Sequence, residues 1–162
     1  MTDQDVITET GKSVQAERYV PYYLSLLNNR LSWGGSQLYL KLFDLGLNEW
    51  RILSALRNEP GIQALRICEM ITLNKSVVSR STKRLEEMKL VEARLVEGKR
   101  LLWLLPRGAQ LHDEIIAIAY RRQSALLDGF GEQDLETLFG LLERMRENLG
   151  KVDHVDKELM KR

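Results

Sequence analysis

The sequence predicts a mainly helical fold carrying one small two-stranded β element, and three observations support that reading. Apolar residues recur at steps of three and four over most of the chain, the spacing that puts them on one face of a helix. Only around 90–105 does the pattern change, where two apolar runs flank the glycine-containing stretch Glu97-Gly98-Lys99-Arg100, the signature of a hairpin. The chain has 162 residues, 44% hydrophobic and 29% charged, which suits one folded domain with a sizeable core.

Each element follows from local residues. Residues 1–15 are polar and aperiodic and read as a flexible tail. From Val20 to Leu45, Leu24, Leu27, Leu31, Gly35, Leu38 and Leu42 form one stripe on a long helix. Gly34-Gly35 weakens helix propensity by roughly 1 kcal/mol per residue and would admit a close neighbour or a bend, and Gly46 is the expected stop. Asn48 is the expected cap of a second helix through Trp50, Ile52, Leu53 and Leu56, ending at Asn58-Glu59-Pro60-Gly61. A short third helix is expected from about Ile62 to Ile71. After the tight turn Thr72-Leu73-Asn74-Lys75, Asn74 caps a fourth helix reaching about Met88. Beyond the hairpin, Pro106 suits the first position of a helix that Gly129 to Gly131 end. A last helix begins near Glu132-Gln133-Asp134, acids favoured at an N-terminus, and keeps a near-heptad stripe to Leu159.

Composition excludes several function classes. One cysteine, Cys68, rules out an internal disulfide and a cysteine-rich zinc site, and His112 and His154 are too few and too far apart to supply the ligands. No metal or cofactor is expected. The N-terminus is acidic and polar, without a secretory pattern, and no run approaches the roughly 18 apolar residues that span a bilayer, so no membrane partner is expected and the cytoplasm is the expected compartment. There is no Gly-rich phosphate loop, nucleophile elbow or metal-spaced cluster, and carboxylates such as Glu143 and Glu147 are better read as solvating a helix. No catalytic residue, and no enzyme, is expected.

Net charge is only +1, from 24 basic and 23 acidic residues. Its distribution is more informative. Between Asn74 and Arg107 nine cations face four acids, or +5, whereas from Asp128 onward six cations face nine acids, or −3. A basic middle of this kind is the electrostatic footprint that phosphate binding requires, since neutralising several phosphates releases counterions. On the fourth helix Ser76, Ser79, Arg80 and Lys83 are spaced by three, one and three, so they share one face. Arginine bonds guanine bidentately and serine serves a base edge or a phosphate. A short helix, a tight turn and a helix so decorated form a helix-turn-helix, and the hairpin bearing Lys99 and Arg100 would make a wing. A plain solvated cationic face is the competing reading of 75–84; the preceding turn and the basic hairpin weigh against it.

The stretches 47–53 (LNEWRIL), 67–80 (ICEMITLNKSVVSR), Arg84-Leu85-Glu86 and Leu90-Val91 resemble the multiple-antibiotic-resistance regulator (MarR) family over about residues 20 to 150. That resemblance implies a winged helix-turn-helix transcriptional regulator of bacteria or archaea, an obligate homodimer built from its first and last two helices, binding pseudo-palindromic double-stranded DNA. It divides the chain into a dimerisation region, 16–45 and 106–162, and a DNA-binding lobe, 46–105. In many members a small aromatic or phenolic effector between the two regions weakens DNA binding. Carried over, the candidate DNA contacts are Lys75, Ser76, Ser79, Arg80, Lys83 and Arg84 on the recognition helix and Arg94, Lys99 and Arg100 in the wing. Where the family usually carries Asp-x-Arg and then Leu-Thr, this chain has Glu97-Gly98-Lys99 and Leu105-Pro106, and the wing is shorter by about three residues.

Some family members sense oxidants through a cysteine near the start of the first helix. Cys68 instead takes the position of the family's usual alanine in the first helix of the helix-turn-helix, and a small buried residue is the plainer account. Tyr22, Tyr23, Arg30 and Trp33 on the first helix, with His112 after the wing, are the candidate effector contacts, although such aromatics also suit a dimer core and His112 a structural role. Two alternatives are a sequence-indifferent DNA-binding protein and a helical interaction module that docks its basic face on an acidic protein.

Overall fold

The computed structural model describes residues 15–161, so the tail expected over 1–15 lies outside the described residues except for Gln15. After a 3-10 turn at Ala16–Arg18 come α1 (Val20–Phe43), α2 (Leu47–Asn58), α3 (Ala64–Ile71) and α4 (Lys75–Glu87). Then follow β1 (Val91–Val96), β2 (Lys99–Leu104), α5 (Pro106–Leu126), α6 (Glu132–Glu147) and α7 (Leu149–Leu159). The fold is the expected mainly helical one with an antiparallel two-stranded sheet. No helix among the described residues is long and apolar enough to cross a membrane.

The chain divides into two compact units, one through Ile116 and one from Ala117. The first has an apolar core: Leu45 ahead of α2, Ile52 and Leu56 on α2, Ile67 on α3, Leu85 on α4 and Leu102 on β2 are all buried. Burying such a side chain is worth about 1.5–3 kcal/mol, so these contacts hold α2, α3, α4 and the hairpin as one body. In the second unit no described residue is buried. Phe139 on α6 and Leu149, Val152, Val155 and Leu159 on α7 are each more than half exposed, so the apolar stripe of α7 is largely uncovered by the described residues.

Several boundaries differ from those expected. Helix α1 runs through Gly34 and Gly35 as the one long helix expected, with Gly35 buried; the differences lie at element ends. The helix stops earlier than Gly46, at Asp44 in the left-handed region (φ 54°), whose N–H returns to Leu40 O. Asp tolerates this conformation better than most residues because its short side chain bonds locally. Gly46, not Asn48, then caps α2. Ile62 does not open α3: it bridges Leu102, with Gly61 N–H donating to Leu102 O and Leu102 N–H to Ile62 O, both at 3.0 Å, so the hairpin gains a short third partner. The last helix is two, divided at Asn148 (φ −80°, ψ −6°), where Asn and Gly150 lower helix propensity in an otherwise continuous stripe.

Candidate nucleic-acid interface

The turn between α3 and α4 is built by two residues. Thr72 (φ 53°, ψ 47°) closes α3 in the left-handed region, its N–H donating to Cys68 O. Asn74 (φ −74°, ψ 156°) opens α4, and its Oδ1 accepts from Val77 N–H at 3.0 Å and from Ser76 Oγ at 2.8 Å. Asn74 is thus the cap its sequence position indicated, and Ser76 is part of the same cap. Asn74→Ala should cost about 1 kcal/mol and lower Tm by about 2–4 °C in a thermal melt. An unchanged Tm would show that the cap does not stabilise α4.

Helix α4 has two chemically distinct faces. Val78, Ser81, Thr82 and Leu85 are buried against the lobe. The hydroxyls of Ser81 and Thr82 therefore do not join the outward row: Ser81 Oγ donates to Glu49 Oε1 at 2.6 Å and Thr82 Oγ1 to Val78 O at 2.7 Å. Lys75, Ser76, Ser79, Arg80 and Lys83 are exposed. Lys75 and Arg80 have no ion pair among the described residues, while Lys83 reaches Glu87 only at 3.9 Å between two highly exposed groups, a contact of little energetic weight. Arg84 differs from the others. It is partly buried, and its Nη2 donates to both the carbonyl O and Oδ1 of Asp44, at 2.7 and 3.0 Å.

The wing is tighter than expected. Val96 pairs with Lys99, leaving only Glu97 (φ 50°) and Gly98 (φ 74°) in the turn. Positive φ at both central residues is the type I′ pattern, whose twist matches that of the strands. Lys99 and Arg100 are consequently strand residues, and neighbours on a strand point to opposite faces. Arg100 turns back and binds both oxygens of Glu86 on α4, at 2.7–2.8 Å. Arg94 lies 5.7 Å over the Trp103 ring and donates to Glu92 at 2.7 Å, a bond that holds the Glu92 carboxyl below the usual carboxylate range. Lys99 is the exposed wing cation with no ion pair among the described residues.

The structure does not gather the five candidate effector contacts. Tyr22, Tyr23, Arg30 and Trp33 are strung along the exposed length of α1, where eleven residues span about 16 Å, and Trp33 is 70% exposed. His112 is buried on α5, its Nδ1 paired with Asp113 Oδ1 at 3.1 Å. A cleft that sequence reading missed, about 630 Å³, lies instead beside the C-terminus of α1, with Lys41, Asp44, Met88, Leu90, Arg107 and Leu111 among its walls. No single stretch of sequence signals it, because its walls come from three separated elements. Cys68 is half-buried rather than fully enclosed.

Comparison with known proteins places this geometry. The MarR family model matches residues 43–100, which hold α2 through the wing turn. The chain is 26% identical over 117 residues to the uncharacterized HTH-type transcriptional regulator YybA of Bacillus subtilis strain 168, a match covering 70% of this chain and 78% of that protein. It is similar to a crystallised MarR/EmrR family transcriptional regulator from Acinetobacter sp. ADP1, with TM-score 0.79 and 28% identity over 85% of this chain and 99% of the other. The same fold occurs in a putative MarR family regulator from Listeria monocytogenes complexed with 26mer DNA, with TM-score 0.77 and 20% identity over 83% and 91% of the two chains.

Proposed function

This chain belongs to the MarR family of winged-helix transcriptional regulators, and from that premise we propose that it is a homodimeric repressor reading a pseudo-palindromic duplex through α4. As a member it is a DNA-binding regulator and not an enzyme. The observation that carries the finer reading is the division of α4 into a buried face, Val78, Ser81, Thr82 and Leu85, and an outward row, Ser76, Ser79, Arg80 and Lys83. A helix held from behind and capped at its entry can enter a major groove with its first turns foremost. Arg80 is then the base reader, matched to guanine O6 and N7. Lys75 and Lys83 bond phosphates, Ser76 and Ser79 assist, and Lys99 clamps the backbone from the wing. The relative from Listeria monocytogenes, solved with DNA, supports this use of the fold.

The dimer is supported by apolar surface that the single chain leaves uncovered. Leu24, Leu27 and Leu31 at helical spacing on α1, and separately Leu149, Val152 and Leu159 on α7, are exposed, and uncovered apolar stripes of this kind mark protein–protein contact. An aromatic or phenolic effector suits the cleft beside Asp44, where apolar Leu111 and Met88 meet the cations Lys41 and Arg107. The site of action is the cytoplasm of a prokaryote. Sedimentation and footprinting on retained duplex test the reading together. Two protomers per site should give two protections related by a two-fold axis, about 10–10.5 base pairs apart or a multiple of that. Protection spread evenly over every sequence would instead indicate a sequence-indifferent binder, and no protection a protein-docking module.

A further inference from the structure

The geometry points to Arg84 as a positioning residue that latches the recognition helix to the end of α1, rather than as a DNA contact. This rests on α4 being the groove helix. Arg84 stands one turn beyond the buried Ser81 and is itself only partly exposed. The two residues end on either side of the short joint between α1 and α2: Ser81 Oγ on Glu49 Oε1 in the first turn of α2 at 2.6 Å, and Arg84 Nη2 on Asp44 O at 2.7 Å and Asp44 Oδ1 at 3.0 Å at the end of α1. Two ties about 4.5 Å apart along the helix fix its pitch, where one would fix only its distance.

The chemistry of the joint suits a cation. Asp44 follows the last turn of α1, so its carboxylate sits at the negative end of a 24-residue helix, where a guanidinium is favoured. Its left-handed backbone (φ 54°, ψ 31°) turns the chain out of the helix, and the carbonyl of this residue accepts from Arg84. Arg84 is thereby engaged with two acceptors on another element, unlike Arg80 one turn earlier. Beneath the joint, Leu45 is fully buried, so α1 cannot shift at this end without moving a core residue. A displacement of the end of α1 is therefore transmitted to the pitch of α4, and the latch sets discrimination between sequences rather than charge-driven affinity.

The test compares Arg84→Gln, Asp44→Asn and the double variant of the full chain, on the duplex the parent enriches and on a scrambled duplex, over a salt series. Asn keeps the left-handed backbone accessible. Each single variant should lower the ratio of the two affinities about fivefold to tenfold, with the salt slope unchanged and the double variant no worse than Arg84→Gln. Hydrogen exchange without DNA should be faster in the C-terminal half of α4 in both. A phosphate contact would behave oppositely: Arg84→Gln would reduce the salt slope by about 0.9 per protomer, Asp44→Asn would be silent, and α4 exchange would not change. That outcome overturns the latch. If the parent prefers no duplex at all, the regulator reading fails, and hydrogen exchange alone still decides for or against the latch.

Discussion

Gly108→Ala is expected to destabilise the first unit by about 3 kcal/mol, at the upper end of the usual cost of overpacking. Gly108 lies in the first turn of α5, buried, where a Cβ would stand 2.1 Å from Leu90 O and 3.0 Å from Leu90 C. The obstacle is backbone that cannot retreat. Leu90 N–H donates to Leu85 O and Leu90 O accepts from Leu105 N–H, both at 2.9 Å, so Leu90 is tied to the end of α4 and to the end of the hairpin. The roughly 1 kcal/mol that Ala normally gains over Gly within a helix is too small to offset this. For a chain of this size Tm should fall by about 6–12 °C. A melt in which Gly108→Ala matches or exceeds the parent would show that α5 and Leu90 do not approach so closely.

Arg80→Ala should cost about 1–3 kcal/mol of operator affinity and relax base preference at the position it reads. Arg80 is exposed, has no ion pair among the described residues, and stands in the second turn of α4. Its side chain is exposed, so its loss should leave the folding stability within about 0.5 kcal/mol of the parent's. Lys99→Ala provides the contrast. On the proposed role of Lys99 as a phosphate contact from the wing, this variant should weaken every sequence alike and reduce the salt slope by about 0.9 per protomer. If both variants bound the selected duplex as the parent does, α4 would not be the helix in the groove.

Much of this interface is written in local sequence. The Asn74 cap, the serine and arginine spacing of α4 and the glycine at the wing turn each act within a few residues, where rules of propensity and capping apply directly. Side-chain partners are different, because they are set by elements far apart in the chain. Arg84 and Asp44 are forty residues apart, and nothing near Arg84 distinguishes it from Arg80. Lys99 and Arg100, adjacent in sequence, part company for a related reason. A two-residue turn moves both onto β2, and alternation sends Arg100 back to Glu86. The division at Asn148 was hidden because the apolar stripe continues across it. The cleft beside Asp44 exists only once the end of α1, the segment between α4 and β1, and the start of α5 have met.

The claim that the outward row of α4 reads base sequence is tested most directly by enriching a random duplex pool on the parent protein and on Arg80→Ala in parallel, at near-physiological salt. The parent should return a pseudo-palindromic motif with half-sites spaced by about one helical turn. Arg80→Ala should return it with one symmetric position degraded. An unenriched pool from the parent, or the same motif from both proteins, would contradict the account.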